Sequence, residues 1–81
     1  MDGTYLTHQQ LQYFNGEYAA PAYIAVDGVI YDVSKSKHWK FGRHHVIHLA
    51  GRDLTEELKD APHAEEIIKN FPIVGFLLEN E

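Results

Sequence analysis

The sequence predicts an α+β fold, because strands lie near both ends of the chain and short helices lie between them. The clearest local signal is a β-hairpin, in which Asp27-Gly28 separates two β-rich runs, 22–26 and 29–33. A further apolar run, 73–78, predicts a closing strand. The chain reads as one domain, residues 1–81, without an internal repeat, linker or low-complexity segment.

The first elements are a short extended piece and a capped helix. Residues 5–6 are expected to be extended, and Thr7 with Gln10 three positions later forms a capping-box signature. A helix is therefore predicted over residues 8–14, and Asn15-Gly16 ends it.

Two short helical segments on either side of Gly51 are predicted in the middle of the chain. The first begins at His44, and the second is capped by Asp53. Pro62 ends the second segment, so His63 is expected in a loop that faces back toward the first. Together the two segments would form opposite walls of a pocket for a flat cofactor. The second segment has apolar residues at i, i+4 and i+7, namely Leu54, Leu58 and Ala61.

A third helix and the closing strand complete the predicted order. The helix covers residues 64–71, with Ile67 and Phe71 one turn apart on one face. Pro72 stops this helix, and the strand over 73–78 follows it.

Length and composition describe a small globular domain that gains from a cofactor. A chain of 81 residues buries only about 60 to 65% of its extended-chain surface and is marginally stable alone. Hydrophobic residues make up 44% of the chain and charged residues 23%, as in ordinary globular proteins. The chain has no cysteine, which excludes disulfides, thiolate metal sites, iron–sulfur clusters and thioether-linked cofactors.

Charge and hydropathy restrict the partners and the location. The formal net charge of −5 argues against a nucleic-acid partner and favours a partner protein with a basic surface. The N-terminal sequence lacks the basic and apolar regions of a signal peptide. No apolar run approaches the ~18 residues of a membrane span. We therefore expect a cytoplasmic monomer.

Six histidines are the compositional anomaly of this chain. His8 and His38 are expected to lie in solvent. Three others crowd the first helical segment, where a spacing of i, i+4 puts two of them on one face. That spacing fits a zinc pair, a coincidence on a polar face, or one axial ligand beside a supporting group. The three are His44, His45 and His48, and the i, i+4 pair is His44 and His48.

No pattern of catalytic residues accompanies these histidines. The sequence has no Ser/His/Asp order, phosphate-binding glycine loop or paired-carboxylate cleft. We therefore expect a protein that is not an enzyme.

Three motifs follow one another along the chain, namely residues 29–35, residues 50–55 with His63 after them, and residues 71–75. Together they resemble the cytochrome b5-like haem/steroid-binding domain, and the resemblance runs from Tyr5 to Leu78. It implies a cytochrome b5-like fold, a small mixed sheet with short helices that form a haem pocket. Because His63 lies ten positions after the aspartate of the second motif, the resemblance implies that His63 is an axial ligand of the haem iron.

The other axial ligand is less directly implied, because the His-Pro-Gly-Gly turn of the family is missing. The spacing between the first two motifs is instead similar to that of the membrane-associated progesterone receptor branch. The chain resembles a small prokaryotic form of that branch, in which Trp39, Gly42 and His44 replace the usual motifs. By this resemblance His44 is the expected first ligand, with His48 as the runner-up and His45 third.

The resemblance also implies the chemistry. Two imidazoles fill the coordination sphere of a non-covalently held haem b, so electron transfer to a redox partner protein is expected. Haem should be lost below about pH 5 to 6, because coordination requires deprotonated imidazole. The expected pocket walls are Val46, Ile47, His48, Leu54, Leu58, Ile67, Ile68 and Phe71, with Tyr31 and Trp39 at the rim.

Two alternatives remain open at the level of sequence. The first is a haem- or steroid-binding regulatory module with a partly open iron. The second is a zinc-stabilised structural domain that uses His44, His48 and His63, although it lacks an evident fourth ligand.

Overall fold

The computed structural model describes residues 4–35, 40–41, 44–45 and 50–78, and for residues 40–41 and 44–45 it describes the backbone pairing alone. The described elements in chain order are β1 (Tyr5–Leu6), α1 (His8–Leu11), β2 (Tyr23–Val26), β3 (Val29–Asp32), β4 (Lys40–Phe41), β5 (His44–His45), β6 (Arg52–Asp53), α2 (Pro62–Ile68) and β7 (Ile73–Leu77).

A mixed five-stranded sheet in the order β1-β7-β3-β2-β6 is the centre of the fold. Strands β2 and β3 pair antiparallel, as do β3 and β7. The two outer strands pair in parallel, β1 with β7 and β6 with β2. The α+β prediction is confirmed by this sheet and its two short helices.

The predicted hairpin is confirmed and has its turn at the expected dipeptide. Asp27 and Gly28 have φ angles of 53° and 80°, the left-handed pair that a type I′ turn requires. Aspartate tolerates this conformation better than most residues, and glycine adopts it without a steric cost.

The two faces of the sheet carry different apolar clusters. The larger one lies under α2 and the segment before it, and the smaller one lies under α1. Alternation along β2 explains the division, because Ile24 and Val26 contribute to the first cluster and Ala25 to the second.

Helix α1 confirms the capping box but ends earlier than predicted. The Thr7 hydroxyl accepts the Gln10 N–H, and the Gln10 side chain accepts the Thr7 N–H. The helix stops at Leu11 because Phe14 is already engaged with β2. Its carbonyl accepts the Tyr23 N–H at 2.9 Å, and its ring stacks on that of Tyr23 with centroids 4.6 Å apart.

The predicted helix beginning at His44 is wrong at its first two residues. His44 pairs with Phe41 and His45 with Lys40 in an antiparallel two-stranded sheet. Backbone pairing between β4 and β5 therefore replaces the helical turn expected there. The remainder of that segment, residues 46–49, lies outside the described residues.

The second predicted helix is a series of turns. Leu58 donates its N–H to the Leu54 carbonyl at 3.0 Å, but Ala61 bonds three residues back, to Leu58. The predicted apolar face is confirmed, since Leu54 and Leu58 are buried and Ala61 packs against them. The Asp53 cap is present as well, because its Oδ1 accepts the Thr55 N–H at 3.1 Å.

Helix α2 begins earlier than predicted, at Pro62. Proline is well suited to the first position of a helix, where its missing N–H has no intrahelical partner and its φ is already helical. His63 therefore lies in the first turn of α2, and the prediction that it stands in a loop is wrong.

Among the described residues, no helix is long and apolar enough to cross a membrane.

Candidate functional site

The His63 side chain is exposed at the first turn of α2. Its neighbours Ala61 and Ala64 belong to the edge of the larger core, since Ala64 is buried and Ala61 is half-buried. Within the described ranges the His63 side chain makes no hydrogen bond or ion pair. The imidazole is therefore available as a ligand donor at the border of an apolar core.

An apolar stripe continues from His63 along α2. Ile67 lies one turn after His63 and is half-buried, and Phe71 follows one turn later. The turn is extended past the helix end by a hydrogen bond from the Phe71 N–H to the Ile68 carbonyl at 3.0 Å. Phe71 packs against the larger core. We call His63, Ile67 and Phe71 the α2 stripe.

The larger core supports this stripe from behind. Leu54, Leu58 and Ile68, three of the expected pocket walls, expose 1% of their surface or less. Tyr31 belongs to the same cluster and is 5% exposed. Its predicted place at the rim is therefore wrong, because β3 is the middle strand of the sheet and directs this side chain into the core.

The side chains of the other predicted site residues are not among those that the structure describes. Trp39, Val46, Ile47 and His48 lie outside the described residues. For His44 and His45 only the backbone pairing in β5 is described.

A cleft of about 340 Å³ lies beside the last residue of the α2 stripe. Its lining combines the end of β3 with the residues after α2, namely Asp32, Ser34, Lys35, Phe71 and Pro72. Sequence reasoning missed Ser34 and Lys35 as members of a cleft, although both belong to the first family motif. A second cleft, of about 380 Å³, lies under α1 and includes His8 and Arg52.

The segment that carries His63 is tied to the sheet at its beginning. The Thr55 hydroxyl accepts the Asp27 N–H at 2.8 Å and donates to Asp53 Oδ1 at 2.6 Å. The Leu54 N–H donates to the Ala25 carbonyl at 2.8 Å. These contacts connect the segment before His63 to both β2 and the hairpin turn.

Two ion pairs of Lys69 connect the other end of α2 to the β2–β3 hairpin turn. Lys69 Nζ lies 2.9 Å from Glu65 Oε2 and 3.6 Å from Asp27 Oδ2. The hydrogen bond to Glu65 raises the pKa of Lys69 above its usual value, with smaller contributions from the charges of Glu65, Asp27 and Tyr31, while desolvation lowers it.

Exposed acidic side chains surround the first turn of α2. Asp60 and Glu66 are exposed three residues before and three residues after His63. Other carboxylates nearby are partly neutralised, since Glu56 pairs with Lys59 at 3.2 Å. Two exposed carboxylates without an ion pair in the described structure therefore flank His63 in the sequence.

No group of three or more His, Asp or Glu side chains within the described ranges could hold a metal ion. The zinc hypothesis relies on His44 and His48, whose side chains are not among those described. It therefore stays a prediction.

Comparison with known proteins decides the family. The model of the family described as "Cytochrome b5-like Heme/Steroid binding domain" matches residues 7–78. The chain belongs to this family. Among curated proteins none matches.

Solved structures agree with the family assignment. A cytochrome b5 domain protein from Hadesarchaea YNP_N21 is 49% identical, with a TM-score of 0.76 over 93% of this chain and 99% of that one. One from Methanococcoides burtonii is 35% identical, with a TM-score of 0.75 over 93% and 97%. An Arabidopsis thaliana protein described as having a cytochrome b5 like fold is 20% identical, with a TM-score of 0.73 over 94% and 92%, and shows the fold alone.

Membership of the family confirms the predicted cytochrome b5-like fold and a haem-binding type of domain. The two archaeal structures agree with the predicted prokaryotic form. The particular closeness to the progesterone receptor branch stays a prediction. The α2 stripe fits a haem, because an imidazole without a partner in the described structure stands at the head of an apolar surface on the edge of the core.

Proposed function

We propose that this chain binds haem b non-covalently and carries electrons, with His63 and a second histidine from the 44–48 region as the two axial ligands. The observation that carries the proposal is the exposed imidazole of His63, which has no partner in the described structure and stands at the head of the α2 stripe, in a chain of this family. The absence of cysteine supports non-covalent binding, because no thioether can form.

The residues of the chain would have separate roles. His63 would supply one neutral imidazole nitrogen to the iron, while Ile67 and Phe71 would exclude water from the same side of the ring. The bound haem supplies one-electron iron chemistry. Two histidine ligands would leave no coordination position for a substrate, so electron transfer to a partner is favoured over catalysis. His44 is the first choice for the second ligand, and His48 is the alternative.

The surface suggests the kind of redox partner. Asp60 and Glu66 are exposed on either side of His63 in the sequence, and the net charge of the chain is −5. A basic partner surface would be attracted to this region and would associate faster at low ionic strength. We propose a monomeric carrier in the cytoplasm that meets such a protein transiently.

An absorption spectrum of the haem-loaded protein tests the axial ligands. The wild type should give a six-coordinate, low-spin spectrum in both oxidation states. His63→Ala should abolish that form, and comparing His44→Ala with His48→Ala should identify the second ligand. His8→Ala is the matched control, because this histidine lies on α1 and lines the other cleft. A high-spin wild-type spectrum, or a His63→Ala spectrum like that of the wild type, would contradict the proposal.

A second candidate function is a haem- or steroid-binding regulatory module with a partly open iron. It is favoured by the family description, which includes steroid binding, and by the cleft beside Phe71. Carbon monoxide separates the two candidates. A partly open iron should bind it readily in the reduced state, whereas an iron with two histidine ligands should resist it.

A further inference from the structure

We propose that Asp27 is a positioning residue for His63, because this one turn residue holds both ends of the segment that carries the candidate axial ligand. This inference rests on the proposed haem ligation. Asp27 lies in the β2–β3 turn, outside the segment and outside the α2 stripe.

Asp27 makes its two contacts through different groups. Its backbone N–H donates to the Thr55 hydroxyl at 2.8 Å, at the start of the segment. Its carboxylate lies 3.6 Å from Lys69 Nζ, directly after α2. The chain thus leaves the hairpin turn at Thr55 and returns to it at Lys69, with His63 between the two contacts.

Each contact is reinforced from within the segment. The Thr55 hydroxyl also donates to Asp53 Oδ1 at 2.6 Å, which fixes its orientation toward the Asp27 N–H. Lys69 Nζ lies 2.9 Å from Glu65 Oε2, one turn earlier in α2. The Asp27 carboxylate is therefore connected to α2 through Lys69, which also pairs with Glu65.

The position of the His63 imidazole depends on how α2 is held, because this side chain makes no hydrogen bond or ion pair of its own within the described ranges. The buried side chains of Ala64 and Ile68 hold one face of α2 against the core. A helix held along one face can still tilt about that line, and the Lys69–Asp27 pair resists such a tilt. Both charged side chains are about half exposed, so the restraint is weak and sensitive to salt.

The turn itself does not require the negative charge. Asp27 has a φ of 53° and precedes a glycine, and asparagine is equally favoured at this position of a type I′ turn. The substitution Asp27→Asn therefore keeps the turn and the N–H bond to Thr55. It removes only the attraction to Lys69.

Haem dissociation into excess apomyoglobin tests the role of Asp27. Asp27→Asn and Lys69→Gln should each accelerate haem loss by about 1.5-fold to about 5-fold at low salt, the range of exposed ion pairs. The double variant should lose haem no faster than the faster single variant. Lys69→Arg should restore the wild-type rate, because it keeps the positive charge.

Two further measurements separate positioning from general stability. Salt should raise the wild-type rate toward that of Asp27→Asn and leave the variant rate nearly constant. The control Glu66→Gln removes one exposed carboxylate from α2 that forms no ion pair within the described part of the chain, and it should keep the salt dependence of the wild type. The urea midpoint of haem-free Asp27→Asn should fall by no more than the loss of one exposed ion pair explains, and a large fall would mean general destabilisation and contradict a positioning role.

The outcomes distinguish the two proposals. A wild-type protein that binds no haem would overturn the proposed function and this inference together. Equal haem loss from wild type and Asp27→Asn, with normal haem spectra in both, would overturn only the role of Asp27. A faster loss from Asp27→Asn that is additive with Lys69→Gln would overturn it as well, because the two side chains would then act independently.

Discussion

Ser34 and Thr55 make the same pair of hydrogen bonds at opposite ends of strand β2. Ser34 Oγ accepts the Ala22 N–H at 2.9 Å just before the strand, and Thr55 Oγ1 accepts the Asp27 N–H at 2.8 Å just after it. Each hydroxyl donates at 2.6 Å to the aspartate two residues earlier in the chain. An Asp-x-Ser/Thr motif thus satisfies a backbone donor beyond each end of β2.

Ser34→Ala should destabilise the haem-free protein by about 1 to 3 kcal/mol, the cost of leaving a buried donor unsatisfied. Ala22, whose N–H would lose its acceptor, is 0% exposed. The free energy of unfolding in urea measures the effect. Ser34→Thr keeps the hydroxyl and serves as the control. A Ser34→Ala protein as stable as Ser34→Thr would show that the Ala22 N–H needs no protein acceptor.

Thr55→Val should cost less than Ser34→Ala, about 0.5 to 1.5 kcal/mol. The Asp27 N–H is at an exposed turn, so water can replace the lost hydroxyl. Urea unfolding of the two variants side by side gives the comparison, with Thr55→Ser as the control that retains the acceptor. The reverse order of stabilities would contradict the difference in burial between the two ends of β2.

Gly75→Ala should destabilise the protein by about 1 to 3 kcal/mol through overpacking. A Cβ at this position would lie 2.5 Å from the Thr4 carbonyl oxygen, so β1 would have to move away from β7. Amide hydrogen exchange should accelerate at Phe76, whose N–H donates to that same carbonyl. The Leu54 N–H, bonded to Ala25 in another part of the sheet, provides an internal control that should exchange at its wild-type rate.

Deprotonation of Lys69 should weaken the attachment of α2 at alkaline pH. The pKa of Lys69 is raised in the folded protein, chiefly by its hydrogen bond to Glu65. Its contribution to stability is therefore complete below its ordinary pKa of 10.5 and is lost as the pH rises through the higher folded-state pKa. The stability difference between wild type and Lys69→Gln should shrink over this window. A stability difference that stays constant as the pH rises through and above this window would contradict the assignment.

Local sequence signals predicted those parts of the fold that depend on few residues. The Asp27-Gly28 turn and the capping box of Thr7 and Gln10 were both confirmed. Each satisfies its own stereochemistry or hydrogen bonding within four residues. Such elements can be predicted from the sequence because their conformation is set within a few neighbouring residues.

Elements that depend on a distant partner were missed or misassigned. Strand β6 forms because Ile24 and Ala25 pair with it in parallel. It has only two residues, which is too short for an alternating apolar pattern to predict it. Apolar spacing predicts a helix at His44, but pairing with Phe41 makes this residue extended. The sequence predicts a helix end at Pro62, whereas a helix starts there, since proline is compatible with both positions.

The candidate site was predictable to a similar degree. His63 was identified through the spacing of a family motif, and the structure places it beside Ile67 on α2. Tyr31 was expected at a rim and lies in the core, because the sequence does not say which strand is in the middle of the sheet. The roles of Asp27 and Lys69 could not be predicted, since their contact joins residues far apart in the chain.

The pairing of β1 with β7 has a consequence for biosynthesis. Tyr5 is among the first described residues to leave the ribosome, yet its register partner is Phe76, far away in the sequence. The hairpin can close as soon as it emerges, whereas the outer edge of the sheet must wait until β7 has been translated. Until then Leu6 lacks its strand partner, and the nascent polypeptide presents an open edge on which chaperones could act.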